Sequence, residues 1–261
     1  VTSPLFIDTY SGAPQPDWQK LVDAGAPWHG AIIKATEGTG FGPKWFDANW
    51  KAVREVAGDR YGADWFRGAY HFLKFNQDGA AQADFYLSVI ERAGGWGPGD
   101  IWPAVDVEMG GEANSNRSAT AQQVIDCTSA FAERVRSRTG RDVMLYGNGA
   151  MRDLGIKNRM SCSWLWCPRY TATLPREIYE RAGWSQDRLA LWQYAGDGTG
   201  GDNVGLSGYP AAAPGLSSHC DVSVLTLPGG LPALRAQLNG PRLNVLGLVT
   251  IIALAFTMVF R

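Results

Sequence analysis

Ile101-Trp102-Pro103-Ala104-Val105-Asp106-Val107-Glu108 is an apolar run that closes on two carboxylates two residues apart. Read as a strand, it places Trp102, Ala104, Asp106 and Glu108 on one face and Val105 and Val107 on the other. Residues i and i+2 then lie roughly 6–7 Å apart along the backbone, close to the separation of acid pairs that cleave glycosidic bonds. An isolated D-x-E is more often a solvated strand end than an active site. Its meaning therefore rests on what surrounds it.

Seven further segments have the same short apolar form and read as strands: Pro4–Asp8, Ala31–Ala35, Arg67–Phe72, Val143–Gly147, Trp164–Pro168, Leu189–Tyr194 and Cys220–Leu225. In the first half they alternate with helical patterns at Asp17–Ala24, Trp45–Ala57, Ala80–Arg92 and about Thr120–Thr139. The last has a cap in Ser118 or Thr120, a buried stripe of Val124, Cys127, Phe131 and Val135, and a stop at Gly140. Leu174–Ala182 supplies a short helix, and Gly196–His219 is loop-like. Repeated strand–helix units predict a parallel sheet. Eight of them predict an α/β barrel with irregular final crossovers, whose site lies at the carboxyl ends of the strands. Asp8 ends the first strand, Glu108 ends the fourth, and Asp221 lies in the last.

The chain of 261 residues is 45% hydrophobic with a formal net charge of −1, enough for one sizeable core. That charge gives no electrostatic footprint for nucleic acid. Eleven Trp, nine Tyr and ten Phe provide rings that can stack on sugars, although any single Trp is more often core. Cys127, Cys162, Cys167 and Cys220 are too sparse for a disulfide framework and are expected to be reduced. The scattered His29, His71 and His219 argue against a zinc site. No secretory signal is visible at the amino end.

From Pro232 the composition shifts. Residues 232–242 read as a polar link, and Leu243 to Phe260 is an uncharged run of 18 residues. As a helix it would be about 27 Å long, close to a bilayer's hydrocarbon core. The expected organisation is a catalytic barrel over 1–231, a linker over 232–242 and a transmembrane helix over 243–260. Arg242 and Arg261 flank both ends, so charge does not set an orientation.

Several strings now converge: Phe6-Ile7-Asp8, Ile32-Ile33-Lys34-Ala35-Thr36-Glu37-Gly38, Arg67-Gly68-Ala69-Tyr70-His71-Phe72, Val105-Asp106-Val107-Glu108, Leu191-Trp192-Gln193-Tyr194 and Asp221-Val222-Ser223. In this order and spacing the chain resembles the glycoside hydrolase family 25 lysozymes, over about residues 4–227. The resemblance implies a flattened β/α barrel. It also implies cleavage of the β-1,4 bond between N-acetylmuramic acid and N-acetylglucosamine in peptidoglycan, with retention and without a cofactor or metal. It assigns Glu108 as general acid/base and Asp106 as the partner that stabilises the positive transition state, by direct attack or by orienting the substrate's 2-acetamido group. Asp8 and Asp221 are further acids of the same groove. Tyr70, Lys34, Glu37, Tyr146, Tyr170, Trp192 and Tyr194 form the expected substrate-binding set, and nearby carboxylates are expected to hold the proton on Glu108. For Lys34 and Glu37 an internal ion pair is an equal expectation, and His71 is expected to be a structural barrel residue.

Met109-Gly110-Gly111, Thr9-Tyr10-Ser11-Gly12 and Trp166-Cys167-Pro168-Arg169-Tyr170 depart from the family's usual strings. The leading expectation is a membrane-held wall lysin of a phage or bacterium, acting in the virion or host envelope. The rivals are a membrane-anchored, non-catalytic wall-binding or virion structural module and a chitin-type N-acetylglucosaminidase.

Overall fold

In a computed structural model, residues 3–10, 15–196, 209–216 and 220–239 are described. The strands are β1 (Leu5–Thr9), β2 (Trp28–Glu37), β3 (Phe66–Phe72), β4 (Ala104–Asp106), β5 (Met144–Tyr146), β6 (Trp164–Pro168), β7 (Leu189–Ala195) and β8 (Asp221–Leu225). They close into one barrel in sequence order. The sequence reading located all eight, because each is a short apolar run between turn residues.

The parallel expectation holds from β1 through β7 and fails at β8, which runs antiparallel to both β7 and β1. The reversal moves a functional group. Asp221 starts its strand, so in a parallel strand it would sit at the floor of the barrel. Antiparallel, it lies opposite Asp8 in the β1–β8 register.

Helices α1 (Trp18–Asp23), α2 (Phe46–Ala57), α3 (Gly79–Arg92) and α4 (Ala121–Thr139) cover the first half of the barrel. The local signals of α4 act as read. Thr120 and Gln123 form a capping box, and Gly140 ends the helix at φ 64°. Val124, Cys127, Phe131 and Val135 are buried, and burying a side chain the size of Val or Phe contributes about 1.5–3 kcal/mol. His71 stacks on Phe131 at 4.9 Å, facing the helices rather than the groove. Its Nδ1 pairs with Thr36 Oγ1 at 2.7 Å and its Nε2 with Gln82 Oε1 at 3.1 Å. Two short helices follow, α5 (Gly149–Asp153) and α6 (Glu177–Glu180).

The expected polar link over 232–242 is corrected in part. Residues Gly230–Asn239 form helix α7, with Leu234 and Leu238 buried. Both join the barrel-interior cluster with Phe6, Phe66, Trp102, Trp164 and Leu225, so α7 closes the floor of the barrel. The apparent polarity belongs to its solvent face, and two leucines four apart are enough to dock one side. The apolar run 243–260 lies outside the described residues. Among the described residues no helix is long and apolar enough to cross a membrane. All four cysteines are free and buried.

Candidate active site

A cavity of about 290 Å³ opens at the carboxyl ends of the parallel strands, lined by Asp8, Tyr10, Lys34, Tyr70, Phe72, Asp106, Glu108, Tyr146, Trp166, Tyr170 and Asp221. It gathers the acids of β1, β4 and β8 around a single lysine. Strand β4 ends at Asp106, and Glu108 lies just beyond it. The segment between is held as if the ladder continued, with Val107 N donating to Tyr146 O at 2.8 Å. That approach requires Gly147. Its φ is 140°, and a Cβ there would meet the Val107 carbonyl oxygen at 2.5 Å. On the other side Asn116, fully buried, donates from Nδ2 to the backbone carbonyls of Glu108 (2.8 Å) and Leu73 (2.7 Å). Its Oδ1 accepts from Phe75 N at 2.9 Å. The backbone at Glu108 is thus fixed by a glycine on one flank and an asparagine on the other.

Burial dominates the electrostatics. It raises the Glu108 carboxyl above its ordinary value, with Lys34 opposing. The proton is therefore held mainly by desolvation rather than by the neighbouring carboxylates that the sequence reading invoked. Asp106 is raised by burial and then by the charge of Glu108, again opposed by Lys34. Its Oδ1 is buried without a hydrogen-bond partner among the described residues. Asp8 is raised by burial and then by Asp221, with which it also shares a hydrogen bond. Such neighbours titrate as pairs, one member keeping a proton while the other ionises.

A hydrogen-bonded hub organises the opposite wall. Gln193 Nε2 donates to Asp8 Oδ2 at 2.8 Å. Gln193 Oε1 accepts from the hydroxyls of Tyr146 at 2.7 Å and Tyr170 at 2.9 Å. Trp166 forms the floor between, 4.6 Å from the Tyr146 ring and 6.4 Å from the Tyr70 ring, with its Nε1 donating to Ser223 Oγ at 2.8 Å.

Of the expected residues, Glu108, Asp106, Asp8, Asp221, Tyr70, Lys34, Tyr146 and Tyr170 come together in this cavity. Three do not. Trp192 and Tyr194 point into the outer hydrophobic layer. There Trp192 Nε1 donates to Arg169 O at 2.8 Å, and the Tyr194 hydroxyl donates to Pro210 O. Alternation along β7 is the reason: with Gln193 inward, its two aromatic neighbours must face out. Glu37 is not among the lining residues. Its carboxylate bridges Lys34 and Lys74, each at 2.7 Å. Burial opposes its ionisation, but the two lysines outweigh burial and hold it below the ordinary value.

Residues that the sequence reading missed are Gln193, Trp166, Asn116, Tyr10 and Phe72. Gln193 had a signal, a lone polar residue inside a wholly buried strand. Asn116 had none, because its partners lie 8 and more than 40 residues away.

The comparisons agree with this fold. Lysozyme M1 of Streptomyces globisporus is 30% identical over 198 residues, covering 74% of this chain and 60% of its own. The N,O-diacetylmuramidase of a Chalaropsis species is 33% identical over 145 residues, covering 54% and 64%. The chain thus spans a little under two thirds of the length of these relatives. The crystal structure of the bacterial lysozyme from Streptomyces coelicolor superposes with a TM-score of 0.70 at 24% identity, covering 92% of this chain and 98% of its own, and so has the same fold. Residues 7–202 match the family model of the glycosyl hydrolases family 25, and the chain belongs to that family.

Proposed function

We propose that the chain is a muramidase, cleaving the β-1,4 bond between N-acetylmuramic acid and N-acetylglucosamine in peptidoglycan with retention. The observation that carries this reading is the acid pair, Asp106 buried and Glu108 half-buried, in an aromatic-lined groove with one cation beside it. Glu108, held protonated by burial, donates its proton to the glycosidic oxygen as the bond to the sugar C1 breaks. Burial still raises Asp106, but with that proton in place its largest charge repulsion is gone and Lys34 favours its carboxylate. The ionised Asp106 then faces the oxocarbenium-like centre.

The unpartnered Asp106 Oδ1 supports one of the two retaining routes. A buried carboxylate oxygen needs a donor, and the 2-acetamido N–H of the substrate supplies one. The acetamido oxygen, so oriented, attacks C1. Water then opens the ring, with Glu108 taking back a proton as base. Gln193 keeps the Asp8–Asp221 pair and the two tyrosine hydroxyls in register beneath the sugar.

The test is mass spectrometry of purified peptidoglycan digested by wild type and by Glu108→Gln, side by side. Wild type is expected to release fragments with new N-acetylmuramic acid reducing ends, and Glu108→Gln almost none. Equal cleavage by the two would remove Glu108 from the mechanism, and products lacking the lactyl ether would favour the chitin-type rival. For the remainder of the chain, the run 243–260 would hold the barrel at a membrane next to the wall. Deletion of 243–261 should then leave activity on soluble fragments and abolish the need for detergent.

A further inference from the structure

A second and larger cavity, of about 440 Å³, lies beside the groove. Its walls include the apolar Met151, Ile156, Ile178 and Ala182, and its charged residues are Arg152, Lys157, Arg169 and Arg181 against the single carboxylate of Glu177. Arg152 is paired with Asp153 at 2.8 Å. Lys157, Arg169 and Arg181 make no ion pair among the described residues. The Arg169 Nε is buried and lacks a hydrogen-bond partner among those residues. These three cations leave the cavity positively charged, which favours an anionic guest.

The cavity adjoins the catalytic groove. Arg169 lines it, and the next residue, Tyr170, lines the catalytic groove. Beyond Glu108 the groove continues into a space lined by Gly149, Ala150 and Asp153 of α5. Met151 and Arg152 of the same helix turn to the cavity. A branch that leaves the glycan at the cleavage point has only this five-residue helix to cross.

We propose that the cavity binds the peptide branch of peptidoglycan through its free carboxylates. The proposal rests on the muramidase reading and adds to it a second recognition site. The branch is attached through the lactyl ether of N-acetylmuramic acid and carries carboxylates together with alanine methyl groups. The cationic side chains match the first and the apolar wall matches the second.

The experiment compares two substrates, purified peptidoglycan stripped of other wall polymers and the same glycan with its peptides removed by an amidase. Lys157 and Arg181 are exposed, so Lys157→Ala/Arg181→Ala should fold as wild type does. On the peptide-bearing glycan it should raise KM about five- to tenfold, the scale of one exposed-to-half-buried charge contact or two, with kcat unchanged. On the bare glycan its kinetics should equal those of wild type. Lys157→Glu/Arg181→Glu should enlarge the KM effect on the first substrate only. Equal change on both substrates, or none on either, overturns the proposal. So does a loss that appears only on walls that retain their phosphate polymers. If wild type cleaves neither substrate, the muramidase reading itself falls. If wild type and variants cleave both alike, only the peptide site falls.

Discussion

The barrel buries charge at both of its ends and treats it in opposite ways. At the floor, Arg67 and Asp100 are 2% and 0% exposed and form a bidentate pair at 2.7 and 3.0 Å. The guanidinium also donates to Trp50 O and lies 3.6 Å over the Trp50 ring, while Asp100 accepts further from the Tyr61 hydroxyl and Gly97 N. Charge is matched by charge, and the donors are used. At the top, Asp8, Asp106, Glu108 and Asp221 share a groove with Lys34 as its one cation. The first arrangement suits a structural joint, since a buried charge is tolerated when paired and hydrogen-bonded. The second is unfavourable for folding and useful for chemistry, since burial and mutual proximity raise carboxylic acids above their ordinary range.

Substitutions should separate the two ends. Glu108→Gln should lower kcat by about a thousandfold, within the range for loss of a general acid, while the thermal midpoint holds or rises. A fall in midpoint without a fall in kcat would make the top cluster structural. Arg67→Ala should do the reverse. It leaves Asp100 buried and unpaired, which costs about 3–5 kcal/mol in a denaturant titration, with activity per folded molecule nearly kept.

Titration offers a finer cut. Burial lowers His71 from 6.5 to about 4, so between those values the unfolded chain binds the proton and the folded one does not. Its contribution is whole above about 6.5 and is lost as pH falls toward 4, at most roughly 3 kcal/mol. The carboxyls of Asp8, Asp106 and Glu108 are raised instead. Their contribution is whole below the ordinary carboxylate range and is lost as pH rises through their folded values. Stability measured from pH 4 to 8 should therefore lose its acid limb in His71→Gln and flatten on the alkaline side in Asp8→Asn. If Asp8→Asn leaves the profile unchanged, the top cluster is not strained by its charge. The smallest effect is expected for Gly147→Ala. The clash with Val107 O should cost about 1–3 kcal/mol and displace Glu108 enough to lower kcat several-fold.

Legibility followed the range of the interaction. The capping box of α4 and its four-residue stripe are local, and Thr120, Gly140 and Phe131 lie where the pattern put them. The acid pair was visible because alternation and strand ends are local as well. Trp192 and Tyr194 misled, since aromatic residues in a strand say that a face is buried but not which layer buries it. α7 was hidden because its docking face is short, Leu234 and Leu238 buried with Leu231 and Ala233 half-buried beside them.

By itself the sequence determined eight strands, the helices between the early ones and the position of Asp106 at the end of β4 with Glu108 just beyond it, all of which depend on residues within a few places of one another. Closure of the barrel decided the rest. It reversed β8 and set Asp221 against Asp8, turned Gln193 inward to hold Asp8 and two tyrosines, and brought Asn116 to the backbone of Glu108. Those contacts join distant parts of the chain, and so does the desolvation that raises the acids. Only the folded barrel excludes the water that would otherwise leave each carboxylate ionised.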